Sequence, residues 1–191
     1  MTDLQLDGTA YAGVRDAQTV TSTGASVAQA IDGVVTHAPV NHVDHRGRVF
    51  EVHAGPSEFW ADPLVYCYTF TIRPGQTKGW GLHQEKEDRY TLVHGEVLTL
   101  LYDAREASPT HGLVQKVMLT DQGARQLRIP TGVWHMNINV GEDEAFLINH
   151  PTAVYHHEAP DRLLLPWDTD QIPVDVAAYF PVQHRPRGPR A

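Results

Sequence analysis

The sequence holds a single cysteine, Cys67, in 191 residues, so no disulfide can close within the chain and nothing in it asks for an oxidising compartment. No run approaches the roughly 18 apolar residues of a membrane span. The first thirty residues show neither the basic start nor the apolar stretch of a secretory signal. Positive charge is scarce as well: 15 Lys and Arg stand against 23 Asp and Glu, a net charge of -8. That balance excludes a general nucleic-acid surface, which needs clustered Lys and Arg, but leaves room for a local basic pocket that holds one phosphate. A long helical period is missing between residues 34 and 155. What remains is an ordinary globular composition, 41% hydrophobic and 20% charged. The expectation is a soluble cytoplasmic protein that binds neither nucleic acid nor membrane.

Short runs rich in β-branched and aromatic residues fill the place of the missing helices. "GRVFEVH" and "LVYCYTFTI" read as strands, and Cys67 within the second reads as a core residue. "DRYTLVHGEVLTLLYDAR" reads as two strands turning at Gly95, and "GLVQKVMLTDQGARQLRIP" as a hairpin around Asp121-Gln122-Gly123. Many short strands between Gly, Pro and Asp turns indicate an all-β sandwich or barrel. Residues 1–33 form an N-terminal arm, with "SVAQAID" as a short helix stopped by Gly33. Residues 34–180 form the β domain, which after 155 becomes proline-rich loop with one or two short elements. Residues 181–191 read as a basic, solvated tail.

The stretch "RIPTGVWHMNINVG", residues 128–141, alternates strictly. As a strand it places Trp134, Met136, Ile138 and Val140 on one face and His135, Asn137 and Asn139 on the other. Pro130 and Gly132 supply a tight entry turn. A second histidine, His83, lies in "GWGLHQEKEDRYTLVHGE", where Gly81, His83 and Glu85 share a face if the chain is extended. The other ten histidines form no constellation, and neighbours such as His156 and His157 seldom face one ion.

Pro130-x-Gly132-x-x-His135-x-x-x-Asn139 resembles the second motif of the cupins at every fixed position. The first cupin motif is matched in part: His83 fits its first His, Glu85 stands where the second His would be, and Asp88 stands near its Glu. The likeness narrows to one branch. "VDHRGRVFEVH", "GWGLHQE", "HGEVLTLLYDAREASPTHG" and "LRIPTGVWHMNINVGEDEAFLINHP" are similar, from about residue 43 to 175, to the motif strings of dTDP-4-dehydrorhamnose 3,5-epimerases. The resemblance implies a cupin jelly-roll barrel (a double-stranded β-helix), usually a homodimer, with short helical or irregular terminal segments. It implies proton transfer beside a ketone of a nucleotide-linked sugar and no cofactor.

Carried over by position, His83 matches the family's base, His135 a second histidine near the sugar, and Arg46 a contact to the nucleotide. Tyr155 aligns within one residue of a family tyrosine. Other positions depart from the pattern. Trp80 replaces an arginine, Asp88 replaces a lysine that acts as donor to the substrate oxygen, and Ile148 replaces the acid tyrosine. No acidic residue follows Asp175 to orient the base. The expected catalytic set is therefore His83, His135 and Tyr155, with Arg46, Trp80, Asp88, Arg89 and Asn139 around the substrate. Arg89 alternates to the other face from Asp88 and can pair with it in the wall. Three readings stay open. The first is a divergent sugar epimerase or ketoisomerase. The second is a metal enzyme in which His83, His135 and a carboxylate (Glu85, Glu87 or Asp88) hold a divalent ion with open positions for substrate. The third is a non-catalytic binding or dimerisation cupin.

Overall fold

Alternating side chains let a strand bury one face or two, and the computed structural model shows both uses. The structure describes residues 2–6 and 9–180; the expected basic tail lies outside the described residues. Two compact units are present, Met1–Ala30 and Ile31–Ala191. In the first, β1 (Thr2–Leu6) and β2 (Thr9–Gly13) pair antiparallel, Thr2 opposite Gly13.

The second unit is antiparallel throughout. Its strands are β3 (Val35–His37), β4 (His42–Asp44), β5 (Gly47–Val49), β6 (Tyr68–Ile72), β7 (Thr77–Leu82), β8 (Asp88–His94), β9 (Val97–Asp103), β10 (Val114–Leu119), β11 (Gln126–Ile129), β12 (Val133–Asn139), β13 (Ala145–Asn149) and β14 (Leu163–Leu164). One five-stranded sheet runs β10-β9-β12-β7-β14, the other β3-β11-β8-β13-β6, and β4 and β5 form a separate exposed hairpin. This is a cupin jelly roll. Among the described residues, no helix is long and apolar enough to cross a membrane.

Between the sheets, Leu92, Leu101, Leu119, Leu127, Val133 and Leu147 form a buried core. A second core lies on the outer face of the sheet that contains β12. There Trp80, Leu100, Met136 and Ile138 pack under Ile172, Val176 and Phe180, which come from the C-terminal segment and its short 3-10 helix Val176–Tyr179. The inner face of β12 thus belongs to Val133, His135, Asn137 and Asn139, and its outer face is sealed.

Three expectations differ from the structure. The two runs expected to be hairpins instead cross between sheets: β8 pairs with β11 and β13 while β9 pairs with β10 and β12. Both sheets offer a long buried partner, which outweighs the local pairing that the turns at Gly95 and Gly123 would permit. Residues 26–32 form no helix. The N–H of Ile31 is taken by Gln115 Oε1 at 2.7 Å and that of Asp32 by Thr110 Oγ1 at 2.9 Å, so these donors are spent outside any helical ladder. Cys67 is exposed rather than in the core, because β6 begins one residue after it.

Candidate active site

Two glycines of β7 among larger polar and aromatic side chains line a cavity of about 540 Å³ at the barrel opening. That is the size of an ordinary small-molecule site. β7 contributes Lys78, Gly79, Gly81 and, just beyond its end, His83; β8 contributes Asp88 and Tyr90; β12 contributes His135 and Asn137. Tyr66, Tyr68 and Phe70 close one side, and Tyr155, His157 and Arg162 come from the later loops.

A bulge in β7 decides which of its side chains enter. His135 pairs with Gly81, whereas Asn137 pairs with Lys78, so three residues of β7 span two of β12. The extra residue reverses the alternation. Lys78 therefore faces the cavity together with Gly81, and Trp80 turns into the outer core, where it is fully buried. Gly79 has φ +118°, and a side chain on it would collide with the His135 carbonyl, so only glycine fits. A carbon added to Gly81 would lie 3.5 Å from His135 Nε2, in the space through which that nitrogen is reached.

Asp88 is the centre of the polar wall. Its Oδ2 lies 3.3 Å from His83 Nε2 and 3.6 Å from His135 Nε2, and accepts the Tyr90 hydroxyl at 3.0 Å. Its Oδ1 accepts Asn149 Nδ2 at 2.8 Å, with Lys86 Nζ 3.9 Å away. Burial alone would push this carboxyl up, but hydrogen bonding from His83 and the charges of His83, His135 and Lys86 outweigh it and hold Asp88 well below the usual range. Asp88 is ionised at neutral pH. Burial, then the Asp88 charge, pushes the Tyr68 phenol up to about 12 against the Asn149 hydrogen bond, and raises Tyr90 too, so both remain neutral donors.

The outer nitrogen of each histidine faces a carbonyl. His83 Nδ1 meets the Asp161 carbonyl, and His135 Nδ1 lies 3.2 Å from the Val133 carbonyl. A carbonyl only accepts, so each Nδ1 carries a proton, and each Nε2, turned toward Asp88, is the nitrogen that gains or gives up a second one. Nε2 of His83 and Oδ2 of Asp88 are then two acceptors with room for one proton between them. The pair is a seat for a proton. Asp161 also clamps the turn after β7, because its carboxylate accepts the N–H groups of Gln84 at 2.8 Å and Glu85 at 3.0 Å. Asp161, in the chain before β14, thus orients His83 through its backbone carbonyl, with its carboxylate 3.8 Å from Nδ1, at a position with no spacing signal in the sequence.

Burial lowers the His135 pKa from its ordinary 6.5, assisted by His83 and opposed by Asp88. His150 is shifted the same way, by burial, Arg89 and His53. The unfolded chain therefore binds protons at mildly acidic pH that the folded chain refuses, and stability falls as pH drops below about 6.5. Urea unfolding between pH 7.5 and 5 should show a loss of up to about 1.4 kcal/mol per pH unit for each histidine. His135→Asn should remove roughly half of that slope; an unchanged slope would show that His135 is not buried uncharged.

Several expected substrate contacts lie elsewhere. Trp80 belongs to the outer core. The Arg89 side chain points away from the cavity and gives its donors to the carbonyls of His150, Asp62 and Pro63 at 2.8, 2.8 and 3.1 Å; it does not pair with Asp88. Arg46 is exposed and bound to its neighbour Asp44 in the β4–β5 hairpin, outside this cavity. Asn139 ties the end of β12 through the Ile72 and Asp143 carbonyls and the Gly141 N–H. Tyr155 does line the cavity, its ring edge-on to His157 at 4.9 Å, while His156 turns away to a separate small cleft.

His83, Asp88 and His135 offer donor atoms all within 4.8 Å of one another, the one such group among the described residues. Glu85 is exposed and Glu87 pairs with Arg128 at 3.5 Å, so neither joins them. The buried Lys86 ammonium beside Asp88 already fills the role of local cation. The set fits a divalent ion poorly.

The profile of the dTDP-4-dehydrorhamnose 3,5-epimerase family matches residues 28–184. Agl13 of Haloferax volcanii, named as a probable low-salt glycan biosynthesis epimerase, is 34% identical over 129 residues, covering 66% of this chain and 82% of that protein. The spore coat polysaccharide biosynthesis protein SpsL of Bacillus subtilis is 29% identical over 142 residues, 74% of this chain and 93% of that one. In fold, the chain matches a dTDP sugar isomerase from Desulfovibrio desulfuricans with a TM-score of 0.71 at 24% identity, over 77% of this chain and 92% of that one. It also matches a Legionella pneumophila epimerase in complex with dTDP-4-keto-L-rhamnose, with a TM-score of 0.65 at 22% identity over 77% and 80% of the two chains.

Proposed function

Because the chain belongs to the dTDP-4-dehydrorhamnose 3,5-epimerase family, we propose that it removes and returns a proton beside the carbonyl of a nucleotide-linked keto sugar. The observation that carries this reading is the convergence of His83, Asp88 and His135 on one wall of the cavity. His83 takes the proton on Nε2, and the ionised Asp88 stabilises the imidazolium that forms. His135, kept uncharged by burial near neutral pH, offers a second acceptor on the same wall. Tyr155, outside the triad, gives a proton to the opposite face of the carbon when it is inverted. Lys78 and Arg162 place positive charge in the cavity of an acidic protein, which suits the anionic part of a sugar nucleotide. In the same reading residues 34–180 are the catalytic domain, residues 1–33 an arm, and the protein works as a homodimer.

The test is proton exchange. Incubation with dTDP-4-keto-6-deoxyglucose in D₂O should place deuterium at a carbon next to the ketone, read by NMR. Binding without any wash-in at high enzyme concentration would reject proton transfer and favour a ligand-binding cupin.

A further inference from the structure

Tyr68 lines the cavity from the edge strand β6, and the register of the sheet sets Asn149 of β13 directly opposite it. Asn149 is fully buried, and its bonds fix which way its amide points. Its Oδ1 accepts the backbone N–H of Arg89 at 3.1 Å, and a backbone N–H only donates. Its Nδ2 holds two hydrogens. One goes to Asp88 Oδ1 at 2.8 Å and the other to the Tyr68 hydroxyl at 2.9 Å.

The second bond decides what Tyr68 can do. Its oxygen receives, so its own hydrogen must go elsewhere. Among the described residues none accepts it. Burial, then the Asp88 charge, pushes the phenol up to about 12, so the hydrogen stays on at neutral pH. Tyr66 and Phe70 flank the ring with centroids 5.8 and 6.4 Å away, which holds the hydroxyl in place. The field there is negative, because Asp88 acts on Tyr68 more strongly than Arg162 does. A phosphate brought to this hydroxyl would be repelled, whereas a neutral oxygen would not.

We propose that Tyr68 is a specificity-determining residue that donates its hydroxyl hydrogen to a neutral oxygen of the sugar, with Asn149 as the positioning residue that directs it; this rests on the sugar-nucleotide reading above. The acceptor is a hydroxyl or the ring oxygen. The bond is made in the bound ground state and kept through the reaction, so it acts on affinity and leaves the proton-transfer step alone.

The experiment is calorimetry on the full chain with two ligands. One is dTDP-glucose, which carries the sugar but has no ketone to react; the other is dTDP, which lacks the sugar. Tyr68→Phe keeps the ring and removes only the hydroxyl. It is expected to weaken dTDP-glucose by about fivefold to tenfold, the worth of one neutral hydrogen bond, and to leave dTDP within about twofold. In deuterium wash-in with dTDP-4-keto-6-deoxyglucose, KM should rise by a similar factor with kcat within about threefold. Asn149→Asp has no N–H to give, and its carboxylate takes the Tyr68 hydrogen, so the preference for dTDP-glucose over dTDP should fall as in Tyr68→Phe. Adding Asn149→Asp to Tyr68→Phe should cost no more of that preference, a non-additivity that a packing role would not give. Unchanged dTDP-glucose affinity in Tyr68→Phe overturns the proposal. So does an equal loss for dTDP, which would put the contact on a phosphate, and so does a fall in kcat at unchanged KM, which would put Tyr68 in the chemistry. Wild-type protein that binds dTDP-glucose but exchanges no proton of the keto sugar rejects proton transfer and leaves this role standing. Binding of neither ligand by the wild type rejects the sugar-nucleotide reading and this role together.

Discussion

His83→Asn is expected to slow deuterium wash-in by about 10³-fold, within the range that a positioned general base contributes. The amide can still donate to the Asp161 carbonyl, and it fills most of the imidazole's volume, but it offers no nitrogen lone pair to accept a proton. Asp88 keeps Tyr90 and Asn149 as donors, so the wall survives the change. The loss should therefore fall on kcat, while substrate affinity and the urea midpoint at pH 7.5 stay close to wild type. A decrease of less than tenfold would show that His83 is not the base. His83 and His135 face one carboxylate oxygen and act as a unit, so the double variant His83→Asn/His135→Asn should be little worse than His83→Asn alone.

Tyr155→Phe should separate exchange from inversion. Nε2 of His83 and of His135 lie within 4.8 Å of each other. Two such nitrogens, each about 3.2 Å from the reacting carbon, subtend roughly 100° or less at that carbon. They reach one face only. Inversion needs a proton from the other side, and Tyr155 is the residue to which that task is assigned. The phenylalanine variant should exchange the substrate proton within about threefold of the wild-type rate and lose net inversion by about 10²-fold or more. The assay follows deuterium content and stereochemistry in the same NMR samples. Equal loss of both would move Tyr155 into the exchange step. Loss of neither would show that a group other than Tyr155 supplies the proton on the opposite face; exchange without inversion in the wild type would instead leave a ketoisomerase, which shifts a proton along one face.

Much of the fold was legible because the jelly roll is written in local signals: short β-rich runs, glycine turns and the Pro130–Asn139 motif. The pairing of those runs was not. Neighbouring strands β8 and β9 enter different sheets, a choice that depends on distant partners such as β11 and β12. In the site, the strict alternation of β12 indicated the inward turn of His135. On β7 the same rule misleads for Lys78, since one extra residue between it and Gly81 turns it to the cavity and leaves no mark in composition, whereas Trp80, beside Gly81, keeps the outward face that alternation assigns it. Lys86 and Asp161 lie in turns, where no period exists to reveal direction. Arg46 matched a motif, but a motif cannot show that its guanidinium is held by the aspartate two residues earlier.

The C-terminal cover has a consequence for how the molecule is made. Trp80, Leu100, Met136 and Ile138 are all in place once β12 is complete, yet the residues that shield them, Ile172, Val176 and Phe180, follow dozens of positions later. On the ribosome the sheet that carries the histidines is therefore greasy on its back while synthesis continues. A nascent chain shorter than 180 residues presents that surface to holdase chaperones or to other chains. Soluble yield should thus depend on Ile172, Val176 and Phe180, none of which lines the cavity.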